Sequence, residues 1–203
     1  PFTSGYAPFW RSRAARFPTG RYATPARRRI SITVTRSLCG SDERMQTVKF
    51  GIDRVRDDPG WLRAYVGRRT GLLAHPASVD AHLQHSLDVL ARLPGLRLTC
   101  AFGPQHGLRG DKQDNMVESP DYVDPVHGIP VYSLYGTVRR PTAEMLAGCD
   151  VVVIDLQDLG CRIYTFATTL LYVLEAAAAS GKSVCVLDRP NPIGRPVEGL
   201  RLR

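Results

Sequence analysis

Thirteen residues, from His106 to Glu118, hold His106, Arg109, Asp111, Asp114 and Glu118. They begin within the turn-forming run Gly103-Pro104-Gln105-His106-Gly107, whose glycines and proline let the backbone reverse sharply. Glu118 and Asp114 are the residue types that glycosidic cleavage needs in pairs. One carboxyl group protonates the leaving oxygen, and the other activates water or attacks carbon. A single loop carboxylate is more simply a solvated charge, and Asp111 reads equally as a hinge or turn residue. His106 is suited to proton donation, to hydrogen bonding with a ligand or to metal ligation, and its glycine-rich setting favours a ligand-facing role over bracing of the loop.

A second cluster, Asp155, Gln157 and Asp158, follows the apolar run Val151-Val152-Val153-Ile154. Asp155 continues that run directly, so it must be paired or face a crevice, because a buried lone carboxylate is costly. Bracing the sheet edge and the Arg162 guanidinium is the structural alternative to catalysis there. Arg162 and Tyr164 suit an anionic or hydroxyl-rich ligand. Arg139-Arg140 suits one too, or is a solvated pair. Asp188, Arg189 and Asn191 form a further cluster after the last apolar run. Ser180-Gly181-Lys182-Ser183 only superficially resembles a phosphate loop. It runs from helix to strand, and Ala176 stands where the upstream glycine belongs. No metal site is expected: His75 and His106 are far apart, and His82 and His85 read as surface residues of an amphipathic helix.

The elements that must position these residues alternate. Strands are predicted over Arg69–Ala74, Leu96–Phe102 and Val151–Ile154 and over Ser183–Leu187, with a short extended piece at Ile129–Leu134. Between them lie helical patterns. One opens at Asp58-Pro59 and runs through Val66, and one carries Leu83, Leu87, Leu90 and Leu93 on a single face. A small helix covers Ala143–Ala147. The stretch from Thr165 to Ser180 is apolar nearly all round and is expected to be deeply buried. Val48 to Asp53 is a short mixed run. Strands separated by helices imply βαβ units, and so an α/β, Rossmann-like, mostly parallel sheet with helices on both faces. In such a sheet the carboxyl ends of the strands share one edge. His75, the pair Gln105 and His106, the Asp155–Asp158 cluster and the Asp188–Asn191 cluster then converge on one crevice.

The bulk properties narrow the function classes. The formal charge of +8 resides mostly in residues 1–44, which carry nine arginines against Asp42 and Glu43 for a net +7; residues 45–203 are nearly neutral at +1. Nucleic-acid binding by the folded part is therefore not expected, although the basic segment alone resembles a transit peptide or a nucleic-acid tail. Residues 1–44 are expected to be a disordered or non-native basic extension ahead of a start at Met45. No apolar run approaches the ~18 residues of a membrane span. No signal-peptide core is present, which points to a cytoplasmic location. Five scattered cysteines without C-x-x-C spacing fit a reducing compartment rather than a disulfide framework.

Five ordered motifs carry a family resemblance. They are Gly71-Leu72-Leu73-Ala74-His75-Pro76-Ala77-Ser78-Val79-Asp80, then Gly103-Pro104-Gln105-His106-Gly107-Leu108-Arg109-Gly110, and then Pro130-Val131-Tyr132-Ser133-Leu134-Tyr135-Gly136 with Arg140-Pro141-Thr142. Asp155-Leu156-Gln157-Asp158-Leu159-Gly160-Cys161-Arg162-Ile163-Tyr164-Thr165 and Leu187-Asp188-Arg189-Pro190-Asn191-Pro192 complete the set. Together they resemble the NamZ-like exo-β-N-acetylmuramidases, glycoside hydrolase family 171. The resemblance implies a Rossmann-like N-terminal domain over residues 45–203, with the active site in a cleft against a smaller C-terminal domain that is expected to be missing here. It implies removal of N-acetylmuramic acid from the non-reducing end of peptidoglycan fragments, with no cofactor. Many members carry Glu at the position of Gln105, and a carboxamide cannot act as general acid or nucleophile. The catalytic set is accordingly Glu118 first and Asp158 second, with His106 and Gln105 beside them. Arg109, Asp114, Asp155, Arg162, Tyr164 and Asn191 are the candidates for binding substrate. The rival expectation is a non-catalytic domain that binds an amino sugar or anionic ligand.

Overall fold

The computed structural model describes residues 32–35, 48–110, 120–161 and 163–193, the first group as backbone only. Among the described residues seven strands form one sheet: β1 (Ile32–Thr35), β2 (Arg69–Ala74), β3 (Arg97–Gly103), β4 (Tyr122–Val123), β5 (Pro130–Ser133), β6 (Val151–Asp155) and β7 (Ser183–Leu187). Their order is β1-β7-β6-β2-β3-β5-β4, with every neighbouring pair parallel except β4 with β5. The helices are α1 (Gly51–Asp57), α2 (Ser86–Ala91), α3 (Ala143–Ala147) and α4 (Phe166–Ala179), and a 3-10 segment covers Pro59–Tyr65.

Burial on both faces accounts for the composition of the central strands. β6 is buried along its whole length, as its β-branched run requires. On one face Ile52 and Val55 of α1 and Leu87 and Leu90 of α2 pack against Leu72, Ala101, Val151 and Val153. On the other face Leu146 of α3 and Val173 and Ala177 of α4 pack against Leu73, Phe102, Val152 and Ile154. The α/β, Rossmann-like architecture with helices on both faces is thus the one the strand-helix alternation dictates.

Five local departures stand out. Within the basic segment expected to be disordered, Ile32–Thr35 pairs in parallel with Val184–Leu187 and covers the free edge of β7. The mixed run at Val48–Asp53 opens α1, where Asp53 reaches back to the Phe50 amide at 3.1 Å and the Gly51 amide donates to the Asp188 carbonyl. Leu83 is not on α2; it occupies a turn with φ +60° and is 81% exposed. His85, taken for a surface residue, is buried, and its Nδ1 caps α2 by accepting from the Leu87 amide. Finally, α4 buries one stripe, Phe166, Thr169, Val173, Ala176 and Ala177, while Leu171 and Glu175 face solvent.

The order of strands fixes the site. From β2 the chain moves outward through β3 to β5, and then returns to the other side of β2 for β6 and β7. The direction of winding reverses between β2 and β6. In open α/β sheets the crevice forms at the carboxyl ends flanking such a reversal.

Candidate active site at the carboxyl ends of the strands

The two strands at the reversal are joined at their ends. The Gln157 amide, just past β6, donates to His75 Nε2, just past β2, at 3.1 Å. A neutral imidazole accepts at only one nitrogen, so this bond requires the uncharged ring. The ring is held uncharged: burial, then the nearby Arg189 guanidinium and His85, lower its pKa from 6.5 to about 4. The His75 ring meets Phe166 edge-on with centroids 4.5 Å apart, and the tilted Tyr164 ring lies at the same separation from Phe166. The result is an aromatic shelf at the centre of the edge, and burial raises the pKa of the Tyr164 hydroxyl.

Beneath the shelf lies a dry polar knot. Asp155 is 0% exposed and receives Arg189 Nε at 2.5 Å and Nη2 at 2.9 Å, while Ser86 donates its hydroxyl to the same carboxylate. Arg189 Nη2 also donates to the Val79 carbonyl at 2.8 Å, and the guanidinium lies over the Phe50 ring. Ser78 donates to the Asp155 carbonyl at 2.5 Å. Asp155, counted above among the substrate-binding candidates, is therefore a structural anchor. Its partner is Arg189 from the end of β7, because a carboxylate that ends a central strand is within reach of the neighbouring strand's end.

Arg109 is also committed elsewhere. It makes a two-pronged pair with Asp88 on α2, at 2.7 and 2.8 Å, and approaches Asp124 at 3.5 Å. His127 Nε2 lies 2.7 Å from Asp88 as well. The Arg109 guanidinium, more than His127, holds the Asp88 carboxyl well below the usual carboxylate range. Arg109 thus ties the loop that follows β3 to α2 and to the β4–β5 hairpin, and it has no side-chain fork left over for a substrate.

The head of that loop faces the crevice. Pro104–Gly107 is a tight turn closed by the Gly107 amide on the Pro104 carbonyl at 2.9 Å, with φ of +71° at His106. Gly103 is required where it stands: a Cβ there would come within 2.9 Å of the Leu108 amide nitrogen. A non-glycine residue in the left-handed region costs of order 1 kcal/mol, and such strain collects at ligand-binding turns. Among the described residues the His106 ring has no hydrogen-bonding or ionic partner. Gln105 Oε1 accepts from the Thr165 hydroxyl at 3.1 Å, which fixes the orientation of its carboxamide.

Past β6, Asp158 Oδ2 accepts from the Gly160 amide at 3.0 Å and from Asn191 Nδ2 at 3.4 Å. Gln157 Nε2 donates to the carbonyls of Asp158 and Pro190, both at 3.0 Å. The structure therefore places Gln105, His106, Asp158, Tyr164 and Asn191 past the strand ends of one sheet edge, and it pairs Asp155 with Arg189 and Arg109 with Asp88. Asp111, Asp114, Glu118 and Arg162 lie outside the described residues. Two functional groups were not singled out by type or spacing: Thr165, which orients Gln105, and Ser86, which helps His75 hold the reversal point. A groove of about 250 Å³ continues from Thr165 between Tyr135, Arg139 and Tyr172. Among the described residues no three His, Cys, Asp or Glu side chains gather as a metal-ligand set. No described helix is long and apolar enough to cross a membrane.

Comparison with known proteins adds three findings. Residues 70–203 match the family described as exo-β-N-acetylmuramidase NamZ, N-terminal. The chain is 42% identical over 167 residues to the peptidoglycan β-N-acetylmuramidase NamZ of Bacillus subtilis, covering 80% of this chain and 40% of that protein. Two crystal structures of DUF1343 family proteins from Bacteroides fragilis are similar, at 43% identity with a TM-score of 0.65 and at 24% with 0.58. Each alignment covers 72% of this chain, and 35% and 36% of those chains respectively. The second likeness is one of fold alone.

Proposed function

Because the chain belongs to the family of exo-β-N-acetylmuramidase NamZ N-terminal domains, we propose that it forms the Rossmann-like wall of a glycosidase site that takes N-acetylmuramic acid from the non-reducing end of peptidoglycan fragments. The observation that carries this reading is the gathering of Gln105, His106, Asp158, Tyr164 and Asn191 on one strand edge, at the point where the winding of the sheet reverses.

The proposed chemistry is acid-assisted hydrolysis through an oxocarbenium-like transition state. Glu118 gives its proton to the glycosidic oxygen as the bond from the anomeric carbon breaks. Asp158, oriented by the Gly160 and Asn191 N–H groups, faces the developing positive charge and takes the proton from the attacking water. His106 and the Gln105 amide donate hydrogen bonds to the sugar, and Tyr164, backed by Phe166, offers it an apolar face. Gln105 cannot transfer a proton, and its Oε1 is already held by Thr165. That favours a second reading, a domain that binds the amino sugar without cleaving it.

Release of free N-acetylmuramic acid from a chromogenic β-N-acetylmuramide tests the first reading. Glu118→Gln is expected to lower kcat by about 10²-fold or more, the usual weight of a general acid. An unchanged rate would refute the assignment of the acid. Thermal stabilisation by N-acetylmuramic acid without any turnover would select the binding reading.

A further inference from the structure

The groove beyond Thr165 has a chemistry of its own. Its volume is about 250 Å³, below the ~300–1,000 Å³ of sites that hold a whole drug-sized ligand. It is therefore dimensioned for a substituent rather than for an oligosaccharide. Its walls are Leu134, Tyr135, Arg139, Thr165, Thr168 and Tyr172, drawn from the segment after β5 and the first turns of α4. Thr165 lines the groove and its hydroxyl also holds Gln105, so the groove adjoins the turn that carries Gln105 and His106.

Two adjacent arginines border it and differ in what they are given. Arg140 lies over the Tyr172 ring at 4.7 Å and pairs with Glu175 on α4. Arg139 lies over the Tyr135 ring at 3.8 Å and, among the described residues, meets no carboxylate. Stacking occupies the face of a guanidinium and leaves its edge N–H groups free. That edge is a fork whose spacing matches the two oxygens of a carboxylate. A flat, unpaired fork at the mouth of a groove walled by tyrosine rings and threonine hydroxyls fits an acidic arm carried on a sugar.

We propose that this groove is a carboxylate subsite and that Arg139 is a specificity-determining residue that reads the lactyl carboxylate of muramic acid. N-acetylglucosamine lacks that group and leaves the fork empty. The inference rests on the muramidase reading and deepens it.

The test compares N-acetylmuramic acid with N-acetylglucosamine as ligands by calorimetry, and the matching chromogenic glycosides as substrates, on the full chain. Wild type is expected to prefer the muramic compounds. Arg139→Gln is expected to erase about tenfold to a hundredfold of that preference, the weight of a hydrogen bond to a charged group, while the glucosamine response stays the same. Arg139→Lys keeps charge but loses the fork and is expected to fall between the two. Arg140→Gln is expected to keep the preference. An undiminished preference in Arg139→Gln would overturn the subsite and leave the muramidase reading standing. If wild type neither binds nor cleaves either sugar, the muramidase reading falls and the subsite with it.

Discussion

Asp155 and Arg189 meet where water does not reach, their side chains 0% and 2% exposed. Removing one partner of such a pair leaves an uncompensated buried charge, a loss of about 3–5 kcal/mol. Asp155→Ala is expected to cost that much, read as a lowered urea midpoint, and Asp155→Asn less, because the amide oxygen still accepts from Arg189. A cost under about 1 kcal/mol in the alanine variant would show that the knot does not anchor the edge. The need for a partner was legible in the sequence, since a carboxylate directly follows Val151-Val152-Val153-Ile154. Its identity was not: Arg162 is the nearer arginine in sequence, whereas Arg189 is the nearer one only once β7 lies beside β6. Arg109 misled for a similar reason. It sits in the densest ionisable stretch, yet its charge is spent on Asp88, 21 residues earlier. Gln105, by contrast, was conspicuous through the family resemblance, whose members often carry Glu there, and the structure adds the hydroxyl that orients it.

Among the elements, the buried strands were the most readable, because a strand covered on both faces must be apolar at every position. Helix α1 was the least readable. It is seven residues long, and its two core residues, Ile52 and Val55, are too few to display a period. What it lacks in length it makes up in position. Its first residue, Gly51, lies so close to the end of β7 that a Cβ would stand 2.6 Å from the backbone of Leu187 and Asp188. Gly51→Ala is therefore expected to push α1 off the sheet and cost about 1–3 kcal/mol, as overpacking does, with the urea midpoint as the measure. Unchanged stability would mean that α1 shifts freely against β7. Because Arg189 lies over Phe50, directly ahead of α1, the same shift is expected to disturb the knot around Asp155.

For the molecule as a whole, the two buried histidines set the acid limb of stability. Burial lowers both, His75 to about 4, against an ordinary value of 6.5. As pH falls below about 6.5, the unfolded chain takes up protons that the folded state refuses, so stability drops. His75 contributes about 1.4 kcal/mol per pH unit until about pH 4 and nothing further below it. Melting temperature measured across that window is expected to decline, and His75→Gln, which cannot be protonated, to flatten the decline; parallel slopes would rule the account out. The depressed carboxylates, Asp88 held by Arg109 and Asp150 held by Arg69, act at lower pH still. One pairing also bears on how the molecule comes to exist. β1 and β7 lie far apart in sequence yet share an edge. A pairing of such long sequence separation is slow to close. A chain emerging from the ribosome must carry Ile32–Thr35 unpaired until β7 has been synthesised, so this edge of the sheet is the last to be completed.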